Sequence, residues 1–154
     1  MRKIHLLLFL IPILLGSCNK KTENYFEEIS DKYSLTSSIS NSDAIFFRLK
    51  KTNQPESTTN DSCFESVAKY KAEKSQQIES FKKLLENSEH TGYCCCPETN
   101  FSIVFYRDSE KIVTYFVDTI EFKNKVRIFE GGYQYSFLIE KQKWKNYLEV
   151  INTK

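Results

Sequence analysis

Apolar positions along the chain change period several times, and each change predicts an element. Ile4 to Leu15 is a nearly unbroken apolar run, at ~12 residues too short to span a bilayer, which takes about 20 in a helix. Residues 19–42 are polar and rich in Ser, Thr, Asn and Lys, with Tyr25-Phe26 and Ile29 as their early apolar cluster. That composition predicts a flexible tether holding one short helix around residues 24–33. Ala44-Ile45-Phe46-Phe47-Arg48-Leu49 favours a strand, and residues 51–62 around Pro55 a loop. Cys63 to Tyr70 alternates weakly, as a second strand paired with the first would. Ser75 then reads as a helix N-cap, because Ile78, Phe81, Leu84 and Leu85 follow as one helical stripe ending near Asn87.

The next stretch alternates strongly. Phe101, Ile103 and Phe105 share one face of a strand and Ser102, Val104 and Tyr106 the other. Asp108 to Lys111 is the turn of a hairpin, and Ile112 to Val117 returns. Bulky residues on both faces place this hairpin at the centre of a sheet. Glu121-Phe122 and Val126 to Phe129 suggest a further pair across Lys123-Asn124-Lys125. Gly131-Gly132 marks a turn or bulge, and Tyr133 to Ile139 a last strand. Trp144, Tyr147, Leu148 and Ile151 line one face of a closing helix. The predicted fold class is α+β: an antiparallel sheet of about five to seven strands with two packed helices, about 75–87 and 140–152, in one domain over residues 43–154.

The opening residues carry the most specific motif. Met1-Arg2-Lys3 supplies a positive flank to the short apolar run, as in a secretory signal peptide. Leu15-Gly16-Ser17-Cys18 resembles the lipobox of bacterial lipoproteins. Its two small residues let an extended chain enter a peptidase groove, and its thiol accepts a thioether-linked diacylglycerol. The resemblance implies a signal peptide over residues 1–17, a lipidated Cys18 with its tether over 18–42, and attachment to a lipid bilayer by acyl chains rather than by a spanning helix. Asn19-Lys20-Lys21 lacks the aspartate that resembles an inner-membrane retention signal, so the implied place is the cell envelope at the outer membrane. The whole chain resembles small lipoproteins of Bacteroides-like bacteria.

Composition narrows the chemistry. At 154 residues, with 14% aromatic, the chain suits one globular domain. Its 22 basic residues stand against 20 acidic ones. Arg2 and Lys3 leave with the leader, so the mature chain is balanced and nothing in its charge points to nucleic acid. Of two histidines, His5 lies in the leader, and His90 alone supports neither an HExxH nor a two-histidine metal set. Gly131-Gly132 is not followed by the Lys-Ser/Thr of a phosphate loop, and no G-x-S-x-G elbow occurs. Aromatic and basic residues interleave at Tyr106, Arg107, Tyr115, Phe122, Lys123 and Lys125, but at a strand spacing that suits a core better than a stacking platform. The expectation is a non-enzymatic domain without cofactor that binds another envelope protein, as an inhibitor or immunity-type protein does. A structural lipoprotein of an envelope assembly is the near alternative.

Cys94-Cys95-Cys96-Pro97 is the unusual chemical feature, and Cys63 brings the domain's cysteines to four. An exported chain meets an oxidising compartment, where disulfides are the default. Directly adjacent cysteines close a strained eight-membered ring. An extended segment also points Cys94 and Cys96 to one face and Cys95 to the other. If all four are oxidised, Cys94–Cys96 is the easier leftover pair and the expected link is Cys63–Cys95, with Cys63–Cys94 and Cys63–Cys96 left open. Closing that loop of ~32 residues stabilises by roughly 3–4 kcal/mol in the chain-entropy model. The sharper alternative is a thiol-redox or soft-metal site formed by His90, Cys94, Cys95 and Cys96. His90 itself reads as a solvated loop residue. Asp118-Thr119-Ile120 resembles the short O-glycosylation acceptor of Bacteroides-like bacteria, with Thr119 as the acceptor.

Overall fold

A computed structural model describes residues 34–92 and 94–152. The leader, Cys18 and the helix expected around residues 24–33 lie outside the described residues. The strands are β1 (Ala44–Leu49), β2 (Tyr70–Ala72), β3 (Glu89–Thr91), β4 (Phe101–Arg107), β5 (Glu110–Asp118), β6 (Lys125–Phe129) and β7 (Ser136–Glu140). They form one sheet in the order β2-β1-β4-β5-β6-β7-β3, and every neighbouring pair is antiparallel. Three helical segments accompany it among the described residues: α1 (residues 34–40), α2 (Ser75–Glu86) and α3 (Lys141–Asn152). The architecture is α+β.

The register explains how alternation becomes two different faces. Phe47 pairs with Ile103, Ile103 with Tyr115, Val117 with Ile128, and Ile128 with Phe137. Partners across a sheet share a face, so these side chains form one apolar layer. Leu35 and Ile39 of α1, Phe81 and Leu85 of α2, and Trp144, Tyr147, Leu148 and Ile151 of α3 close over it. The opposite face runs through Ser102, Phe116, Phe129 and Ser136, and beside them Asp118, Arg127 and Leu138. The central place of the β4–β5 hairpin, third and fourth in the sheet, agrees with its double-sided burial.

Several boundaries differ from the sequence expectation. Residues 34–40 belong to the domain rather than to a tether, because Leu35 and Ile39 lie one helical turn apart and both are buried. α2 starts one residue after its N-cap, Lys74, rather than being capped by Ser75. The Gln77 amide oxygen reaches back to accept from the Lys74 and Glu73 backbone N–H groups at 3.1 and 3.2 Å. The strand partner of β1 is Tyr70–Ala72; Cys63 sits instead at the end of a single 3-10 turn, Asp61–Cys63. Residues 119–124 form a connection, and β6 pairs with β5 and β7 rather than with Glu121-Phe122. The β4–β5 turn puts Asp108 and Ser109 at φ 50° and 68°, the mirror-turn geometry that matches strand twist. Asp43 accepts the Asp108 N–H at 2.7 Å and holds that turn.

Candidate functional site

Loops, not helices, cover the second face. Lys51 N–H donates to the Cys63 carbonyl at 2.9 Å and Glu65 N–H to that of Leu49 at 2.8 Å. Lys50 N–H reaches Asn100 and Thr99 N–H reaches Glu56, both at 2.9 Å, so residues 50–65 and 94–100 lie on the sheet as one lattice. The Arg48–Asp61 ion pair fastens the 3-10 turn to β1, while Arg48 Nε donates to Ser102 Oγ at 3.2 Å. Burial alone would raise Asp61, but the hydrogen bond and charge of Arg48, with Lys111 beside it, hold its carboxyl below the usual range.

Beneath this layer lies a second, smaller core: Cys63, Phe64, Cys94, Phe116 and Phe129, with Tyr133 packed against it. Tyr133 takes φ 61°, uncommon for an aromatic residue, and its ring stacks on Phe129 at 5.6 Å. Its carbonyl accepts the Cys94 N–H at 3.0 Å, which draws Cys94 inward. In the preceding turn a Cβ on Gly132 would stand 2.9 Å from Glu130 Oε1, so a larger residue there would have to displace the end of that side chain. That carboxylate accepts the N–H groups of Gly132 and Gln134.

Next to this core is a buried guanidinium. Arg127 is gripped by both oxygens of Glu121, Nε and Nη2 each donating at 2.9 Å, and Nη1 donates to Ser136 Oγ at 2.8 Å. The Phe122 ring covers it at 5.0 Å. Ser136 in turn hydrogen-bonds Thr91 across the β7–β3 pair. Asp118, opposite Arg127 in the ladder, uses Oδ1 to accept the Ile120 and Glu121 N–H groups at 2.7 and 3.0 Å. Its Oδ2 is buried with no hydrogen-bond partner among the described residues. Burial pushes the Cys94 thiol up; the charge of Arg127 and hydrogen bonds from Ser136 and Arg127 oppose the rise without cancelling it. Cys94 is thus a shielded thiol whose thiolate form is disfavoured.

The sequence-derived site residues divide between these environments. Cys63, Cys94, Cys95 and Cys96 are all unbonded in this structure. Cys63 and Cys94 are buried in the same cluster, whereas Cys95 and Cys96 are exposed. The sulfurs of Cys95 and Cys96 stand 3.8 Å apart, and that neighbouring thiol pushes Cys96 up. The expected split, Cys94 and Cys96 on one side with Cys95 on the other, is replaced by Cys94 inside and the other two outside. The physical reason is Cys96 at φ 49°, a left-handed residue that ends the alternation of an extended segment. His90 is not in a loop: it is half-buried in β3, opposite Phe137, with the two rings 5.5 Å apart. Phe137 belongs to the helix-covered core, so His90 and the buried Cys94 serve different faces. Among the described residues no group of three His, Cys, Asp or Glu side chains is placed to share a metal ion. The Thr119 hydroxyl donates to Asn100 Oδ1 at 3.0 Å and ties the end of β5 to the residue that precedes β4. Arg127, Glu121 and Ser136 were not among the sequence-derived candidates; the signal was a charged residue inside the apolar run Val126 to Phe129.

No described helix is long and apolar enough to cross a membrane. Comparison with protein-family models, with curated proteins and with solved structures finds no match for this chain.

Proposed function

We propose that this chain is a lipid-anchored domain of the bacterial cell envelope that works by binding another protein. The observation that carries the anchoring is Leu15-Gly16-Ser17-Cys18 directly after a short apolar run with a basic flank. Fifteen residues separate Cys18 from Ser34, the first described residue of the domain, and a chain of that length reaches at most about 50 Å. The domain would therefore work close to the membrane surface that holds it.

Support for binding rather than catalysis comes from the surface. Several depressions among the described residues are open and lined largely by polar and charged side chains. One of them, of about 540 Å³, runs between the end of α1 and the start of α2, past Asp43, Glu73, Glu79 and Lys82. A site for a small substrate is ordinarily concave and mostly apolar, with a few convergent polar groups. An open polar groove suits contact with another protein surface better.

The test has two arms in the bacterium that makes the protein. Intact mass of the N-terminal peptide should show acylated Cys18, and Cys18→Ser should leave the chain unprocessed and unacylated. Lysine cross-linking in intact cells should give one discrete heavier adduct for the wild type. A diffuse ladder, or monomer alone, would remove the binding reading. A second reading, an envelope thiol-redox protein, is favoured by one observation: the exposed, adjacent sulfurs of Cys95 and Cys96.

A further inference from the structure

We infer that Cys95 and Cys96 form a vicinal dithiol that reduces accessible disulfides by thiol–disulfide exchange, with Cys63 and Cys94 held out of the reaction. The inference rests on the second reading above and narrows it from a triple cysteine to two named sulfurs. Three observations carry it. The two sulfurs are already within 3.8 Å, on exposed residues. The left-handed Cys96 turns the pair to one side instead of alternating it. The tip they occupy is tied down on both flanks: Cys94 by its N–H to Tyr133, Pro97 by burial, and Thr99 by its N–H to Glu56.

The chemistry balances without any group beyond the two thiols and the substrate. One thiol of the pair loses its proton to water, and its thiolate attacks a sulfur of the disulfide R–S–S–R. That S–S bond breaks, RS⁻ leaves and takes up a proton, and a mixed disulfide remains on the protein. The second thiolate attacks the protein sulfur of that mixed disulfide and expels the second RS⁻. The dithiol gives up two electrons and closes the strained eight-membered ring, which makes it a weak reductant that an excess of disulfide must drive, and one disulfide becomes two thiols. Cys94 does not compete, because it is buried in the smaller core out of reach of a disulfide, whereas Cys95 and Cys96 are exposed.

Glutathione disulfide is the probe. The full chain, reduced and held in detergent, is treated with it, quenched by alkylation under native conditions and mapped by peptide mass. The expected product is a Cys95–Cys96 link free of glutathione, with Cys63 and Cys94 alkylated at least about tenfold more slowly until the protein is unfolded. Cys96→Ser should trap one glutathione on Cys95, and Cys95→Ser one on Cys96, because neither variant keeps a resolving thiol. A Cys63–Cys95 or Cys94–Cys96 link would overturn the proposal. So would a wild type that keeps its glutathione as the variants do, or thiols of Cys95 and Cys96 that stay inert. Failure here with the lysine cross-link intact would leave the protein-binding reading standing.

Discussion

The two faces of the sheet are built from the same alternating strands and end in different states. On one, three helices press Leu35, Ile39, Phe81, Leu85 and Trp144 onto an apolar layer centred on Phe47, whose ring meets those of Phe81, Trp144 and Tyr147 at 5.6–5.8 Å. On the other, loops held by backbone hydrogen bonds and the Arg48–Asp61 pair cover a smaller core beside a buried Arg127. A helix brings a preformed apolar stripe and satisfies its own backbone. A loop must spend its polar groups on the sheet and its neighbours, so polar and ionic groups are drawn inside with it. The thiols and the guanidinium that give this protein its chemical character lie on the loop side for that reason.

The difference can be tested by emptying each core in turn. Phe47→Ala should cost about 3–5 kcal/mol, because rigid helices cannot close on the cavity. Phe129→Ala should cost less, about 3 kcal/mol, because the covering loops can settle. Urea unfolding measures both, and native alkylation of Cys63 and Cys94 should quicken only in the second variant. Equal costs would mean that the loop layer is as rigid as the helices.

The next test removes the buried charge. Arg127→Met takes away three hydrogen bonds but frees Glu121, which is 42% exposed, to reach water. The expected loss is about 1–3 kcal/mol, with a slower-reacting Cys94, because the charge that favoured its thiolate is gone. A neutral or stabilising outcome would show that packing, not the ion pair, holds this side together.

A smaller effect is expected from the clamp. The Asp61 carboxyl is held below its ordinary value, so its contribution is present above the unfolded-state value near 3.8. It is lost as pH falls through the lowered folded-state value. Because Asp61 is half-exposed, Asp61→Asn should cost about 0.5 kcal/mol at neutral pH. The gap from the parent should close in acid. The smallest effect belongs to the helix side. The Tyr147 hydroxyl is buried without a hydrogen-bond partner among the described residues, and burial pushes the phenol well above its usual range. Tyr147→Phe should leave stability within about 0.5 kcal/mol of the parent or raise it; a larger loss would reveal a partner for that hydroxyl.

Elements with one strong period were legible in the chain. The Phe101–Val117 hairpin, the helix after Lys74 and the helix bearing Trp144 emerge where the spacing puts them. Weak or mixed signals were not legible. Leu35 and Ile39 stand alone among serines and become a helix only because a sheet is there to bury them. Glu89-His90-Thr91 has no alternation to read, and is a strand because β7 offers an open edge. Arg127 was visible as a charge inside an apolar run, but Glu121 and Ser136 come to it from the preceding turn and the neighbouring strand.

The sequence by itself determined an α+β chain with a central antiparallel hairpin, helices at defined stripes and a motif that resembles a lipid-attachment signal. All of these are local patterns, encoded by residues within a few positions of one another. Only the tertiary structure decided which face the helices cover, that His90 serves the helix side, and that Cys94 is buried while Cys95 and Cys96 stay outside. Alternation makes the two faces of a strand distinct without saying what will lie on either. In the cysteine segment a left-handed residue and a long-range hydrogen bond to Tyr133 override the alternation altogether.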